Sequence, residues 1–200
     1  MKNIQTILVL MLTFVSCKAQ NPILDISDRS LDHMEGAYYK DTQNLLNPFV
    51  GTYIYTNGNT SFKIVLQKKI MSSMNNVYYE DLIIGEYQYI QNGVEILNTL
   101  SNLNTNLSNG WLYNICGSLV LYGKELGCDE CADDEKRIRI SLTDETIHRT
   151  AKLDIRRINQ IGQQSIKVEL WWTGRGTRNE NDPPRPAPRI PAGTYVMIKQ

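Results

Sequence analysis

Alternating apolar and polar positions run through most of the chain after residue 48, and this pattern predicts antiparallel β-strands. Phe62, Ile64 and Leu66 occupy every second position, so they fall on one face of a strand, since successive side chains point to opposite sides. The dipeptide Asn57-Gly58 precedes this run, and both residues tolerate the positive φ of a tight turn. We therefore expect a hairpin built from strands at 49–56 and 61–69.

The same alternation continues towards the C-terminus, with two interruptions. Asn92-Gly93 predicts a second hairpin turn, and Gly85 predicts a bulge or a sharp bend inside a long strand. Residues 104–135 break the pattern and predict a long loop holding a short strand at 118–122, and the proline-rich residues 182–191 predict an extended connector. The further predicted strands are 77–90, 94–103, 137–142, 150–157, 165–172 and 194–199.

About eight strands joined mostly by short turns predict an all-β fold, an up-and-down meander that closes into a lipocalin-like barrel. A β-sandwich is the alternative. Eight is the number of strands at which a barrel interior is filled by side chains or holds one small ligand. The segments Gly51-Thr52-Tyr53 and Gly193-Thr194-Tyr195 begin alike, so the first and last strands of the domain are predicted to pair as the seam of the barrel.

The N-terminus predicts export. Lys2 gives a short positive segment, an apolar run follows at 7–14, and small residues come next. These features are typical of a signal peptide, whereas a membrane-spanning helix needs about 20 apolar residues. We assign residues 1–19 to this signal and expect the protein at the outer membrane, in the periplasm or in the medium.

Cys17 is the candidate lipidation site. Phe14-Val15-Ser16-Cys17 resembles the lipobox of bacterial lipoproteins, in which a cysteine after a small residue is acylated before cleavage, although Phe14 stands where leucine is usual. The alternative is ordinary cleavage after Ala19, which removes Cys17. Acylation would attach the protein to a membrane by its lipid alone, with residues 20–47 as a leader that carries a short helix or edge strand.

Length and charge limit the remaining possibilities. The 200 residues, less the signal, suit one domain at 48–200 that buries its own core. Lys plus Arg and Asp plus Glu are 21 each, without a sustained basic run, so a nucleic acid is not an expected partner.

Cys128-Asp129-Glu130-Cys131 has the spacing of a redox pair or of half a metal site. A zinc site needs about four ligands, and the other candidates, Cys116, His33 and His148, are scattered along the chain. The acidic neighbours of the pair also oppose thiolate formation. We therefore expect a Cys128–Cys131 disulfide that staples the loop in an oxidising compartment, with no metal and no cofactor.

The acidic run at 129–135 lacks the spacing and the central glycine of a calcium-binding loop. It is interpreted as a solvated charged segment that Lys136, Arg137 and Arg139 balance. No serine, cysteine or histidine falls in a recognisable catalytic motif. No catalytic residue is therefore assigned, and an enzyme is not expected.

Aromatic side chains on the predicted strands are the candidate lining of a binding cavity, because Tyr and Trp combine apolar area with a polar group. Aromatic residues are also ordinary strand formers that pack in cores whatever the function. The candidate set is Tyr53, Tyr55, Tyr87, Tyr89 and Trp172.

Two resemblances to known families follow from these segments. Gly51-Thr52-Tyr53 resembles the Gly-x-aromatic start of the lipocalins and calycins. The segments 49–66, 78–100, 128–144 and 191–200 are together similar to an uncharacterised family of small secreted or lipoprotein-like β proteins from Bacteroidetes, a domain of unknown function. This second resemblance implies a fold and export, and it supplies no activity, cofactor or catalytic residue.

Two functions are therefore expected from the sequence. The first is an exported, lipid-anchored β-barrel without enzymatic activity that binds a small apolar ligand or a partner in the cell envelope. The alternative is a structural or interaction module with a filled core and no ligand. The volume of the interior separates them, because a ligand binder needs an aromatic-lined cavity of a few hundred Å³.

Overall fold

A computed structural model describes residues 22–28, 33–160, 162–173 and 186–200. The signal segment 1–19 with its candidate lipidation site Cys17 lies outside the described residues, and so do residues 182–185 of the proline-rich connector. Within the described ranges, none of the helices is long and apolar enough to cross a membrane.

Strands dominate the described part of the chain, and three short 3-10 helices at Asn47–Phe49, Leu100–Thr105 and Gly110–Leu112 lie between them. The strands are β1 Ile23–Asp25, β2 Tyr38–Lys40, β3 Gly51–Asn57, β4 Thr60–Met74, β5 Tyr78–Gln91, β6 Val94–Asn98, β7 Ile115–Tyr122, β8 Lys136–Asp144, β9 Arg149–Gln160, β10 Gln163–Trp172 and β11 Gly193–Lys199.

Eight of these strands form a closed antiparallel barrel, namely β3, β4, β5, β7, β8, β9, β10 and β11. Neighbours in the ring follow one another along the chain, apart from β6, which the ring bypasses because β5 pairs directly with β7. The strand β11 closes the ring on β3, with Ile198 opposite Ile54 and Lys199 opposite Tyr53. The predicted up-and-down barrel and its seam are confirmed, and the sandwich alternative is wrong.

Both predicted hairpins form. The first joins β3 to β4 through Gly58-Asn59, with φ of 56° at Gly58, so the turn lies one residue beyond the predicted Asn57-Gly58. The second joins β5 to β6 through Asn92-Gly93, where φ is 53° and 81°. Positive φ at both central residues is the backbone of a turn that suits the twist of paired strands.

The predicted bulge at Gly85 is wrong. Gly85 pairs in register with Leu66, and the irregularity of this ladder lies in β4 between Lys69 and Ser72. The glycine allows a close approach, since a Cβ there would stand 2.5 Å from the backbone oxygen of Val65. Gly85 is therefore a point of tight strand contact inside the barrel wall.

The predicted strand 94–103 is too long. The strand β6 ends at Asn98, whose side chain accepts a hydrogen bond from the backbone N–H of Leu100 (3.3 Å). Thr99 donates from its hydroxyl to the Tyr87 carbonyl oxygen (3.1 Å). Such bonds offer the backbone an alternative to the ladder, and the chain continues as the 3-10 helix Leu100–Thr105.

The predicted loop 104–135 contains a full strand of the barrel. The strand β7 is longer than the predicted 118–122, and it pairs with β8 on one side and with β5 on the other. Its register shifts between Cys116 and Leu119, and Gly117 lies inside this irregularity with φ of 150°. The shift moves the apolar residues out of strict alternation, which is why the pattern predicted only the second half of the strand.

Side chains fill the interior of the barrel. Phe62, Ile64, Val168 and Leu153 are each 0% exposed, and they belong to one continuous cluster of buried residues. The ring of Phe62 meets the ring of Tyr195 edge to face, with 5.2 Å between centroids. These contacts describe a packed core rather than the wall of a cavity.

Part of the predicted leader is bound to the outside of the ring. The strand β2 pairs in parallel with β5, and β1 pairs with β2. Asp81 on β5 accepts hydrogen bonds from the Tyr38 hydroxyl (2.6 Å) and from the backbone N–H of Asp41 (3.1 Å). Leu46 and Phe49, which follow this segment, are 0% and 1% exposed.

Asp41 holds this segment on the barrel, and its removal should lower the free energy of unfolding by about 2–3 kcal/mol. Its buried carboxylate accepts from the backbone N–H groups of Leu45 (2.6 Å) and Leu46 (3.0 Å) and pairs with Lys68 Nζ (2.7 Å). Asp41→Ala leaves all three donors without this acceptor. Denaturant unfolding measures the loss.

The matched control for Asp41 is Asp28→Ala, which removes an exposed carboxylate from the same leader. Its effect should stay within about 0.5 kcal/mol, as for most surface substitutions. An Asp41→Ala variant as stable as the control would show that the carboxylate does not fix the leader.

Candidate functional site

The five aromatic residues predicted to line a ligand cavity are distributed between the core and its edge. Tyr53, Tyr87 and Tyr89 are 2%, 1% and 2% exposed, and the rings of Tyr87 and Tyr89 lie edge to face against Phe62, with centroids 6.4 Å and 6.1 Å away. Burial raises the pKa of Tyr53 and Tyr89, so both phenols stay neutral at physiological pH. The three rings fill interior space.

The remaining two aromatic candidates are half-buried at the edge of the core. The ring of Tyr55 meets that of Tyr195 edge to face at 5.0 Å. Trp172 donates from Nε1 to the Ile190 carbonyl oxygen (2.9 Å), which attaches the segment before β11 to the barrel wall. These contacts give both residues a packing role.

A polar cavity of about 190 Å³ lies on the outer wall of the barrel. Its floor is the outer face of β8, β9 and β10, and its roof is the loop 123–135 that joins β7 to β8, here called the roof loop. Charged side chains from both parts line it, including Glu130 of the roof loop. We take this cavity as the candidate functional site.

Three cations form a row across the floor. Arg156 on β9 lies directly opposite Arg137 on β8 and opposite Lys167 on β10. Side chains at directly opposite positions of antiparallel strands are close neighbours, so like charges there repel. The row is therefore favourable only where negatively charged groups lie above it.

The roof loop supplies that charge. Glu135 binds Arg156 through two hydrogen bonds, from Nε (2.7 Å) and Nη2 (2.8 Å). The Glu130 carboxylate accepts from Lys167 Nζ and lies 3.0 Å from Arg156 Nη1. The hydrogen bond from Lys167 and its positive charge lower the pKa of Glu130, which stays ionised at neutral pH.

These pairings correct one prediction from the sequence. The acidic run was expected to be balanced by the residues that follow it, Lys136, Arg137 and Arg139. Glu130 and Glu135 instead pair with cations of β9 and β10, and Arg139 binds Asp154 of β9 (2.5 and 2.7 Å).

Arg137 is the deepest cation of the site. It is 3% exposed, and its Nη2 donates to the carbonyl oxygens of Gly123 (3.0 Å) and Glu125 (2.5 Å) in the roof loop. Its Nη1 lies 3.8 Å from Asp154 Oδ2. Its Nε has no hydrogen-bond partner among the described residues, so one buried donor of this side chain is unsatisfied.

Cys128 and Cys131 form a disulfide within the roof loop. Cys128 lines the cavity and Cys131 is buried. Glu130 lies between them in sequence, so the disulfide keeps its backbone near the floor while its side chain stays exposed. In the described ranges, no group of three His, Cys, Asp or Glu side chains is arranged to hold a metal ion. His33 stacks on Tyr78 at 4.2 Å, and His148 is exposed in the turn after β8.

Cys116 is a buried free thiol, separate from the roof loop. It lies on the outer face of β7 in a second apolar cluster with Leu82, Ile84 and Tyr113, covered by the segment 99–114. Burial raises the pKa of the Cys116 thiol to about 12, and Lys152 opposes this rise only in part. A thiol with that pKa carries almost no thiolate at neutral pH.

Cys116 should therefore resist alkylation in the native protein at pH 7.5. Iodoacetamide should modify it at least about 100-fold more slowly than in the protein unfolded in denaturant without reductant, because the thiolate is the nucleophile. Peptide mapping by mass spectrometry reads Cys116 apart from the other cysteines. Comparable rates in the two states would contradict its burial.

Sequence reasoning missed two cations of the floor, Arg156 and Lys167. Arg156 and Lys167 are outward-facing positions of strands that the alternation predicted correctly, so their side of the sheet could have been assigned. Their meeting with Glu130 could not, because it depends on how the roof loop folds back over three strands.

Comparison with known proteins identifies a family for this chain, but no individual relative. A model of a family of unknown function, DUF6705, matches residues 1–200. Curated proteins and solved structures give no match to the chain. Because the family model covers the whole chain, the protein belongs to the DUF6705 family, a family of unknown function.

Proposed function

We propose that this protein is an exported, lipid-anchored binding module without enzymatic activity, whose filled barrel is a scaffold and whose ligand or cell-envelope partner binds on the outer wall. The observation that carries the proposal is the contrast between the two sides of the wall. Phe62, Tyr87 and Tyr89 pack together inside, whereas the cavity lined by the cations Arg137, Arg156 and Lys167 lies outside.

The sequence supports the proposed lipid anchor. A positive start, the apolar run 7–14 and the lipobox-like Phe14-Val15-Ser16-Cys17 support acylation of Cys17 and attachment to the outer membrane. Cleavage after Ala19 would give a periplasmic or secreted protein instead. Intact mass spectrometry of the mature chain tests this: acylated Cys17 at the N-terminus supports the anchor, and a chain that starts at Gln20 contradicts it.

Two observations favour binding over catalysis. The buried thiol of Cys116, with its raised pKa, is a poor nucleophile. The cavity residues Asp154 and Arg156 form ion pairs with Arg139 and Glu135, which suits recognition of a charged group. No cofactor and no nucleic acid enter this proposal.

A titration with a neutral apolar probe tests the filled interior. N-phenyl-1-naphthylamine fluoresces when it enters an apolar cavity, and the native protein should give no saturable signal at micromolar concentrations. Saturable binding of one probe per chain would contradict the proposal. It would indicate instead that the barrel binds an apolar ligand in its interior.

A further inference from the structure

We propose that the outer cavity binds a small anion through its carboxylate or phosphate group, and that Glu130 occupies the position of this group in the unliganded protein. The inference deepens the proposed function and rests on it, since it names the ligand class of the outer wall. Its basis is the row Arg137, Arg156 and Lys167 beneath the roof loop.

The charge and the side-chain types of the row favour binding of an anion. Three side chains of like charge stand at opposed positions of neighbouring strands, an arrangement that is unfavourable without a counter-charge. Arg and Lys are also the side chains that proteins use most for carboxylate and phosphate groups. The floor provides the charge, and two of its donors, Arg156 Nη1 and Lys167 Nζ, meet at the same oxygen of Glu130.

Glu130 is the replaceable part of the site. Its side chain is 58% exposed, whereas the Glu135 side chain is 18% exposed and binds Arg156 with both oxygens. An exposed ion pair contributes little stability because water screens it and ordering the side chains costs entropy. A ligand anion can therefore displace the Glu130 carboxylate at small cost, while Glu135 stays in place.

The buried charges of the site agree with an anionic ligand. With Glu130 withdrawn, the four cations Arg137, Arg139, Arg156 and Lys167 face two carboxylates of low exposure, those of Glu135 and Asp154. Asp129 and Glu169 also line the cavity, but both are exposed, so water screens their effect. The floor therefore keeps an excess of positive charge.

Arg137 gives the independent second observation. The residue is 3% exposed, and its Nε, itself buried, lacks a hydrogen-bond partner among the described residues. Arg137 lines the cavity, and its ion pair with Asp154 is long at 3.8 Å and shared with Arg139, so a ligand anion would supply counter-charge that this buried cation lacks. At about 190 Å³ the cavity lies below the roughly 300–1,000 Å³ of sites for drug-sized ligands, which limits the ligand to a small molecule.

Calorimetric titrations with inorganic phosphate and with succinate test the inference and separate the two anion chemistries. Glu130→Gln removes the internal competitor and should bind at least one of the two anions about 10-fold more tightly than the wild type. Glu145→Gln removes an exposed carboxylate in the turn after β8, and it should leave the affinity unchanged.

Loss of a floor cation should have the opposite effect. In the Glu130→Gln background, Arg137→Gln and Lys167→Gln should each weaken binding at least about 10-fold. Lys167 is half-buried, so its variant keeps the test valid even if the buried Arg137 variant fails to fold. Equal anion affinity in the wild type and in Glu130→Gln, or no effect of Lys167→Gln, would overturn the inference.

The outcome is distinguishable from failure of the proposed function. Absence of anion binding together with exclusion of the neutral apolar probe overturns the anion site and leaves the filled scaffold standing. Saturable uptake of that probe overturns the proposed function itself.

Discussion

Replacing Phe62 by alanine should lower the free energy of unfolding by about 3–5 kcal/mol, one of the two largest effects that we expect. Phe62 is 0% exposed and its ring contacts those of Tyr87, Tyr89 and Tyr195. Truncation leaves a cavity that these rings can fill only in part, since strands of a closed barrel cannot move together freely. Denaturant unfolding, with an unchanged slope, measures the difference.

The control for Phe62 is Gln67→Ala on the same strand. Gln67 is exposed on β4, so its truncation should change stability by less than about 0.5 kcal/mol. If Phe62→Ala loses no more stability than this control, the interior of the barrel is loosely packed. That result would favour a ligand cavity over the packed core.

Gly85→Ala should destabilise the barrel by about 3 kcal/mol, at the upper end of the cost of overpacking. The added Cβ would lie 2.5 Å from the Val65 backbone oxygen and 2.9 Å from Leu66 Cδ2. The oxygen belongs to the paired strand and cannot rotate away as a side chain can, so β4 and β5 must separate locally. Thermal and denaturant unfolding both measure the effect.

Whether Gly85→Ala loses or gains stability tests the close contact between β4 and β5. In a strand with free space, alanine is more favourable than glycine by roughly 0.5–1 kcal/mol, because glycine loses more backbone freedom on folding. A stability gain in Gly85→Ala would therefore contradict the close contact of β4 and β5. Gly85→Val should be less stable than Gly85→Ala if the contact is as described.

The sequence predicted the fold where alternation is regular. The strands β8, β9 and β10 carry apolar residues at every second position, and Ile166 and Val168 are buried as that pattern requires. The pairing of β3 with β11 at the seam could be predicted because both strands begin with Gly-Thr-Tyr. Strand period and turn chemistry are local properties of the chain, which is why they could be derived without knowledge of the partners.

Irregular segments were predicted less well, for physical reasons. Apolar residues such as Leu103 resemble the continuation of a strand, yet Leu103 packs on the second cluster from a 3-10 helix. The strand β7 was hidden by the register shift after Cys116. Both cases depend on packing against β5, which is distant in sequence.

The candidate site shows the same limit. Arg137 and Arg139 were noted only as neighbours of an acidic run, because charge balance along a chain says nothing about pairing across strands. The register of β8, β9 and β10 brings Arg137, Arg156 and Lys167 into one row. Glu130 reaches this row through the fold of the roof loop, which contains the disulfide.

Nuclear magnetic resonance of the ¹⁵N-labelled protein tests the central claim most directly, because the Nε–H group of Arg137 is itself observable. We expect its resonance to shift saturably with inorganic phosphate or succinate, while the backbone resonances of Tyr53 and Tyr87 in the interior stay in place. If the interior resonances instead shift with the neutral apolar probe, and that of Arg137 Nε–H responds to neither anion, the account of a filled scaffold with an outer anion site is wrong.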